Sequence, residues 1–147
     1  MTTTPLALQL SRIVAASPAR IFDAWTVADQ LKCWTCPDPN ARVDVDIDLR
    51  VGGHYFIRMD AEGGPFTALG TYRVVDSPRR LVYTWRWKEE THPMREETLV
   101  TVELVPATNG TEIRLAHEGF PTPSDVDGHE QGWKICLDRL VGLVAAQ

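Results

Sequence analysis

From Arg42 onward the chain reads as six short stretches of alternating apolar and polar residues separated by brief turns, and no other feature limits the possible folds as much. Val43, Val45, Ile47 and Leu49 alternate with Asp44, Asp46, Asp48 and Arg50 until Gly52-Gly53 interrupts. Period-2 alternation sends the two sets to opposite faces of a strand. The stretches His54–Asp60, Phe66–Val75, Leu81–Trp87, Thr98–Val105 and Ile113–His117 follow, punctuated by Glu62-Gly63-Gly64, Asp76-Ser77-Pro78 and Pro106–Gly110. Lys88–Arg95, KEETHPMR, is polar and holds a proline, which predicts a longer exposed loop. Near the start, Leu6, Leu8 and Leu10 alternate with Ala7, Gln9 and Ser11 and predict a seventh strand ending near Val14. Parallel neighbours need crossovers of about a dozen residues or more. These turns are too short for that, so the sheet is antiparallel.

Its apolar face needs cover, and one segment is large enough to give it. Ser124 to Ala146 is the only long helical pattern, with Val126, Trp133, Leu137, Leu140 and Val144 on one stripe and Gln131, Lys134 and Asp138 opposite. Ser124 and Asp127 stand at N-cap and capping-box spacing. His129 and Cys136 border the stripe, so both look inward with Trp133. Gly128 and Gly132 each weaken a helix by about 1 kcal/mol relative to alanine, which implies close backbone approach or room left empty. Two short helices precede the sheet. Ser17-Pro18 caps the first, with Ile21, Phe22 and Trp25 on one face; Thr26 with Asp29 marks the second, stopped by Pro37 and Pro39. The fold class is α+β: a seven-stranded antiparallel sheet, two short helices after strand one and a long C-terminal helix.

A length of 147 residues suits one domain spanning 1–147. No apolar run approaches the roughly 18 residues of a membrane span, so no membrane partner is expected. The opening MTTTPLALQLSR shows no basic segment leading into an apolar region, and the expected location is cytoplasmic. A net charge of -5 without a Lys/Arg stripe argues against nucleic acid, whose affinity comes mostly from basic side chains releasing counterions. Cys33, Cys36 and Cys136 form no disulfide framework. Cys33 and Cys36 do have C-x-x-C spacing, but a second such pair and a thioredoxin-like context are both missing, so the stretch reads as structural. Asn109-Gly110-Thr111 reads as a turn, not a glycan acceptor, and Asp48 to Gly53 as a tight turn with a surface ion pair.

The segments SPARIFDAWT, LKCWTCP, DLRVGGHY, GTYRVVDSPRRLVYTWRW, TLVTVELVPATNGTEIRLAHEGFP and GWKICLDRL occur in that order. With them the chain resembles the heat-shock protein 90 ATPase activator homologue-like family of the START/SRPBCC (Bet v 1-like helix-grip) superfamily. Thr35 stands where the family pattern has a second tryptophan after the one matched by Trp34. The resemblance implies a sheet curved around the terminal helix with a cavity between them. Members include chaperone activators, ligand carriers and resistance proteins.

Five tryptophans offer large flat surfaces either to a core or to an apolar ligand. The leading expectation is a binding protein for an apolar or amphipathic small molecule, contacted by Trp34, Phe56, Met59, Trp85, His117 and Trp133. A chaperone-cofactor or other protein-interaction module is the second reading, and a cyclase- or hydrolase-like enzyme using His117 or His129 as base the third. No nucleophile with a partnered base is recognisable, strand alternation turns Glu118 away from His117, and no HExxH spacing marks a metal site, so catalytic, metal and cofactor residues are all expected to be none. Ile135, opposite Trp133 and near Gly142, together with an apolar first strand at a sheet edge, makes a homodimer the expected self-association.

Overall fold

The computed structural model describes residues 6–145. The alternating stretches form β1 (Ala7–Val14), β2 (Arg42–Ile47), β3 (His54–Asp60), β4 (Phe66–Asp76), β5 (Arg80–Trp87), β6 (Thr98–Ala107) and β7 (Gly110–Glu118). They pair antiparallel throughout in the order β1-β7-β6-β5-β4-β3-β2. Strands β2 to β7 are successive hairpin partners, and β1 pairs with the last of them. The chain must therefore cross from one edge to the other between β1 and β2, and α1 (Pro18–Thr26) and α2 (Ala28–Leu31) make that crossing. On β4 the register slips between Tyr72 and Val74 against Tyr83 and Val82. One extra residue, Arg73, is accommodated there, and such a bulge bends and twists the strand that carries it. The curved sheet closes around α3 (Pro123–Ala145) in a helix-grip arrangement.

Local chemistry explains most boundaries. The Ser17 hydroxyl accepts from the Arg20 amide at 3.1 Å, with Pro18 at the first helical position. In the β2–β3 turn Gly52 has φ +85°, and a Cβ on Gly53 would lie 2.0 Å from the Asp48 carbonyl oxygen. Arg50 Nε donates to Asp48 Oδ2 at 2.9 Å beside them, an exposed pair of little energetic weight. Asn109, φ 62°, turns β6 into β7.

Two sequence expectations are corrected. Thr26 does not cap α2: its hydroxyl donates back to the Phe22 carbonyl at 2.8 Å, Val27 occupies the cap position, and no side chain caps it. A buried threonine hydroxyl is satisfied within its own helix before it can serve the next one. In α3 the capping pair is Thr122 and Asp125, not Ser124 and Asp127. Thr122 Oγ1 accepts from the Asp125 amide at 3.1 Å and donates to Asp125 Oδ2 at 2.7 Å. Pro123, with its φ already helical, starts the helix two residues earlier than expected. Ala146, the expected last residue, lies outside the described residues.

The buried stripe of α3 is Trp133, Cys136, Leu137, Leu140 and Val144. Its backbone approaches β1 and α1 most closely. Arg139 ties its flank to the segment after α2, donating to the Cys33 carbonyl at 2.8 Å and to the Cys36 carbonyl. The first half of α3 stands off from β3 and β5, and the space between them is where the site lies.

Candidate functional site

A recess of about 380 Å³ opens between the first half of α3, the inner face of β3 and β5, and the two loops that follow α2 and β5. Its deep wall consists of buried side chains: Met59, Trp85, Trp133, Cys136 and Thr35. Exposed residues ring the mouth, namely Pro37, Pro93, Ser124 and Gly128. The two helix glycines account for the space. A Cβ on Gly128 would meet nothing within 4 Å, and one on Gly132 would meet only Pro37 Cγ at 3.6 Å. Of the two explanations for their presence, empty room is the one realised.

Hydrogen bonds fix the protonation of the imidazoles around this space. Trp133 Nε1–H donates to His117 Nδ1 at 3.0 Å, so that nitrogen is bare and the proton sits on Nε2. His117 Nε2–H then donates to Thr98 Oγ1 at 2.7 Å, and the Thr98 hydroxyl donates to the Trp85 carbonyl at 2.9 Å. His129 is held the same way with the nitrogens exchanged. Trp87 Nε1–H donates to its Nε2 at 3.1 Å, leaving Nδ1–H to donate to the Asp125 carbonyl at 2.7 Å. His92 Nδ1 accepts from the Met94 amide at 3.1 Å while its ring lies flat on Trp87, centroids 4.6 Å apart and planes 12° apart.

A proton added to any of these rings would confront an N–H donor already in place. Burial works in the same direction and is the largest influence on each. It holds His117 well below the ordinary 6.5, helped by His129, and lowers His129 and His92 as well. Burial also pushes the Cys136 thiol up to about 12. The deep wall is therefore uncharged, and Asp125, whose carboxylate already accepts from Thr122, is the one acidic side chain lining the recess. With both nitrogens engaged, neither His117 nor His129 has a free lone pair with which to take a substrate proton. One polar atom breaks the pattern. Trp85 Nε1 is the buried side-chain nitrogen or oxygen left without a partner among the described residues, a situation that costs about 1–3 kcal/mol.

The sequence profile of the Activator of Hsp90 ATPase homolog 1-like proteins matches residues 15–145. The chain belongs to this family. No curated protein matches it. A Chromobacterium violaceum protein of known crystal structure is 26% identical, with 97% of this chain and 99% of that one covered and a TM-score of 0.81. The AHSA1 protein of Silicibacter pomeroyi is 25% identical over 95% of this chain and 98% of its own, TM-score 0.80. Ara h 8.0201, at 17% identity, 96% and 98% coverage and TM-score 0.77, shares the fold.

In this member of the Activator of Hsp90 ATPase homolog 1-like family, three of the six expected contact residues line the recess: Met59, Trp85 and Trp133. His117 stands behind them, wholly buried, bonded to Trp133 and with its ring 5.9 Å from that of Trp85. Trp34 is a core residue. It is fully buried, donates to the Ala24 carbonyl at 2.9 Å and packs edge-on against Trp25 with centroids 4.7 Å apart. Phe56 lies on the outer face of β3, 38% exposed, and its expected contact is overturned by the alternation of its own strand. Met59 is three residues away from it, so the two cannot share a face. Trp87, His92, Pro37 and Cys136 were missed as wall residues. The spacing of Trp87 two residues after Trp85 carried the signal for the first, whereas nothing in the polar loop marked His92.

Proposed function

We propose that this chain binds an uncharged, mainly aromatic or aliphatic small molecule in the recess between α3, β3 and β5. The observation that carries this reading is the combination of empty volume and wall chemistry: about 380 Å³, within the range of small-molecule sites, faced by Trp85, Trp87, Trp133 and Met59 with no lysine or arginine among its lining residues. Indole rings and a thioether give a ligand large dispersion surfaces, and neutral imidazoles give it no ionic partner. A fold shared with many ligand carriers is consistent with the reading but does not choose the ligand.

Tryptophan fluorescence and native mass spectrometry against matched neutral and charged aromatic compounds test it. Neutral compounds are expected to bind and quench, charged analogues to bind far more weakly, and Gly132→Leu to abolish binding while the protein stays folded. If no neutral aromatic or aliphatic compound binds, or if Gly132→Leu binds as well as the wild type, the reading is wrong.

A further inference from the structure

The deep wall of the recess carries one hydroxyl. Met59, Trp85, Trp133 and Cys136 present thioether, indole and thiol, and Thr35 lies among them, 7% exposed. Other buried threonines are satisfied within the protein: Thr26, Thr98 and Thr111 donate to the Phe22, Trp85 and Ala16 carbonyls. The Thr35 amide donates to the Leu31 carbonyl at 3.2 Å, but its Oγ1 has no bond among the described residues. Nor is that oxygen sealed off, since Trp85 Nε1 is the buried side-chain nitrogen or oxygen left without a partner there. Oγ1 therefore touches open space. Thr35 borders two such spaces, the recess and a gap of about 10 Å³ behind the wall. The gap has hardly room for one water, so a ligand meets this hydroxyl from the recess.

The segment that carries Thr35 is held from α3. Arg139 donates to the carbonyls of Cys33 and Cys36 on either side of it, and Pro37 Cγ stands 3.6 Å from where a Gly132 Cβ would be. The other free oxygens of the lining, on Ser124 and Asp125, belong to the first turn of α3. At about 1.5 Å per residue, Gly132 lies about 10 Å further along the axis than Asp125. The mouth and the Thr35 end are thus separate polar points with indole surface between them. A hydrocarbon packed against Thr35 would cut its hydroxyl off from water and leave it unpaired, whereas a ligand hydroxyl there would donate to it or accept from it.

We infer that Thr35 sets which neutral ligands the recess prefers: those carrying a neutral oxygen group, an alcohol or phenol in the simplest case, that pairs with Thr35 Oγ1 at the deep end. This rests on the reading of the recess as a binding site and adds the polar group of the ligand and the residue that takes it.

Naphthalene and 2-naphthol share one bicyclic frame and differ by a hydroxyl that is neutral at pH 7. Their affinities for the full-length protein, measured by equilibrium dialysis in wild type and Thr35→Val, form a cycle that cancels the difference in ligand hydrophobicity and isolates the pairing of the two hydroxyls. The preference for 2-naphthol is expected to be about tenfold greater in the wild type than in Thr35→Val, the scale of one buried hydrogen bond. It should survive in Thr35→Ser, which restores the hydroxyl, and in Asp125→Asn at the mouth. An equal preference in wild type and Thr35→Val would overturn the inference and leave the recess reading standing. So would a preference lost in Asp125→Asn but kept in Thr35→Val, which places the ligand hydroxyl at the mouth. Failure of both compounds to bind the wild type would overturn both. Thr35→Val should melt at or above the wild-type temperature, because it loses no bond within the protein. A variant that does not fold, or melts well below the wild type, would show the hydroxyl bonded inside the protein and overturn the inference as well.

Discussion

Acidification should weaken this protein through His117 in a measurable and removable way. The imidazole is wholly buried, and its neutral form is fixed between the Trp133 N–H and the Thr98 hydroxyl. Its folded pKa lies well below the ordinary 6.5, for which burial is the main cause. Between that folded pKa and 6.5 the unfolded chain binds a proton that the folded chain refuses, so stability rises with pH there. The contribution is complete above pH 6.5 and is lost as pH falls from 6.5 towards the folded pKa. One such residue costs at most about 1.4 kcal/mol by pH 5.5, a ceiling of roughly 3–6 °C in melting temperature for a domain of this size. His117→Gln keeps one donor and one acceptor but cannot ionise. At pH 7.5 it is expected to be less stable than the wild type by about 1–3 kcal/mol, because the amide reaches both partners imperfectly. That gap should shrink by up to about 1.4 kcal/mol at pH 5.5, since only the wild type is penalised there. Urea unfolding followed by tryptophan fluorescence at several pH values measures both quantities. A gap that stays constant from pH 7.5 to 5.5 would refute the argument.

Other outcomes follow from single features. Gly128→Ala, with nothing near its new Cβ, should raise stability by about 0.5–1 kcal/mol on helix propensity alone, read as a higher urea midpoint; destabilisation would mean that the helix is strained there. Trp87→Phe removes the donor to His129 Nε2 and should raise the His129 pKa towards 6.5, followed by NMR titration of its ring protons. Cys33 is exposed whereas Cys36 and Cys136 are buried, so a disulfide reagent should titrate one thiol rapidly in the native protein and three after denaturation. Ile135 is 46% exposed on the solvent side of α3, and Ile135→Glu should leave unfolding within about 0.5 kcal/mol of the wild type. A larger loss would show that this face is packed.

Strand number, antiparallel pairing and the cover helix were legible because each depends on local periodicity, and periodicity is a property of neighbours in sequence. The pairing of β1 with β7 was not legible, since nothing local links Leu8 to His117; only the edge position of the first strand was expected. The same limit decided the site. Trp133 and Trp85 were found because large aromatics on inward faces must line something. The bonds that neutralise His117 and His129 join β7 and β5 to α3 across 16 and 42 residues, and no spacing rule covers such distances. Phe56 differs: the parity of its own strand, in which Tyr55, Ile57 and Met59 face inward, places it outside, and parity follows from backbone geometry.

Hydrogen bonds, rather than apolar contacts, are what can keep the recess from closing. Two glycines remove the side chains with which the first half of α3 would otherwise fill the gap to β5, and neighbouring side chains relax only partially into such space. Two bonds of fixed length and direction hold its walls: Trp87 to His129 at 3.1 Å joins β5 to α3 at the recess, and behind the wall Trp133 to His117 at 3.0 Å joins α3 to β7. Each locks an indole in place by its one N–H, so neither ring can rotate inward without orphaning a buried donor. Such loss costs about 1–3 kcal/mol per group, comparable to what burying one further apolar side chain would return, about 1.5–3 kcal/mol. The histidines therefore act as struts, and their neutrality is part of that work: a charged ring would repel the indole N–H it is there to hold. Trp85 lacks such an anchor: its Nε1–H is buried without a partner among the described residues.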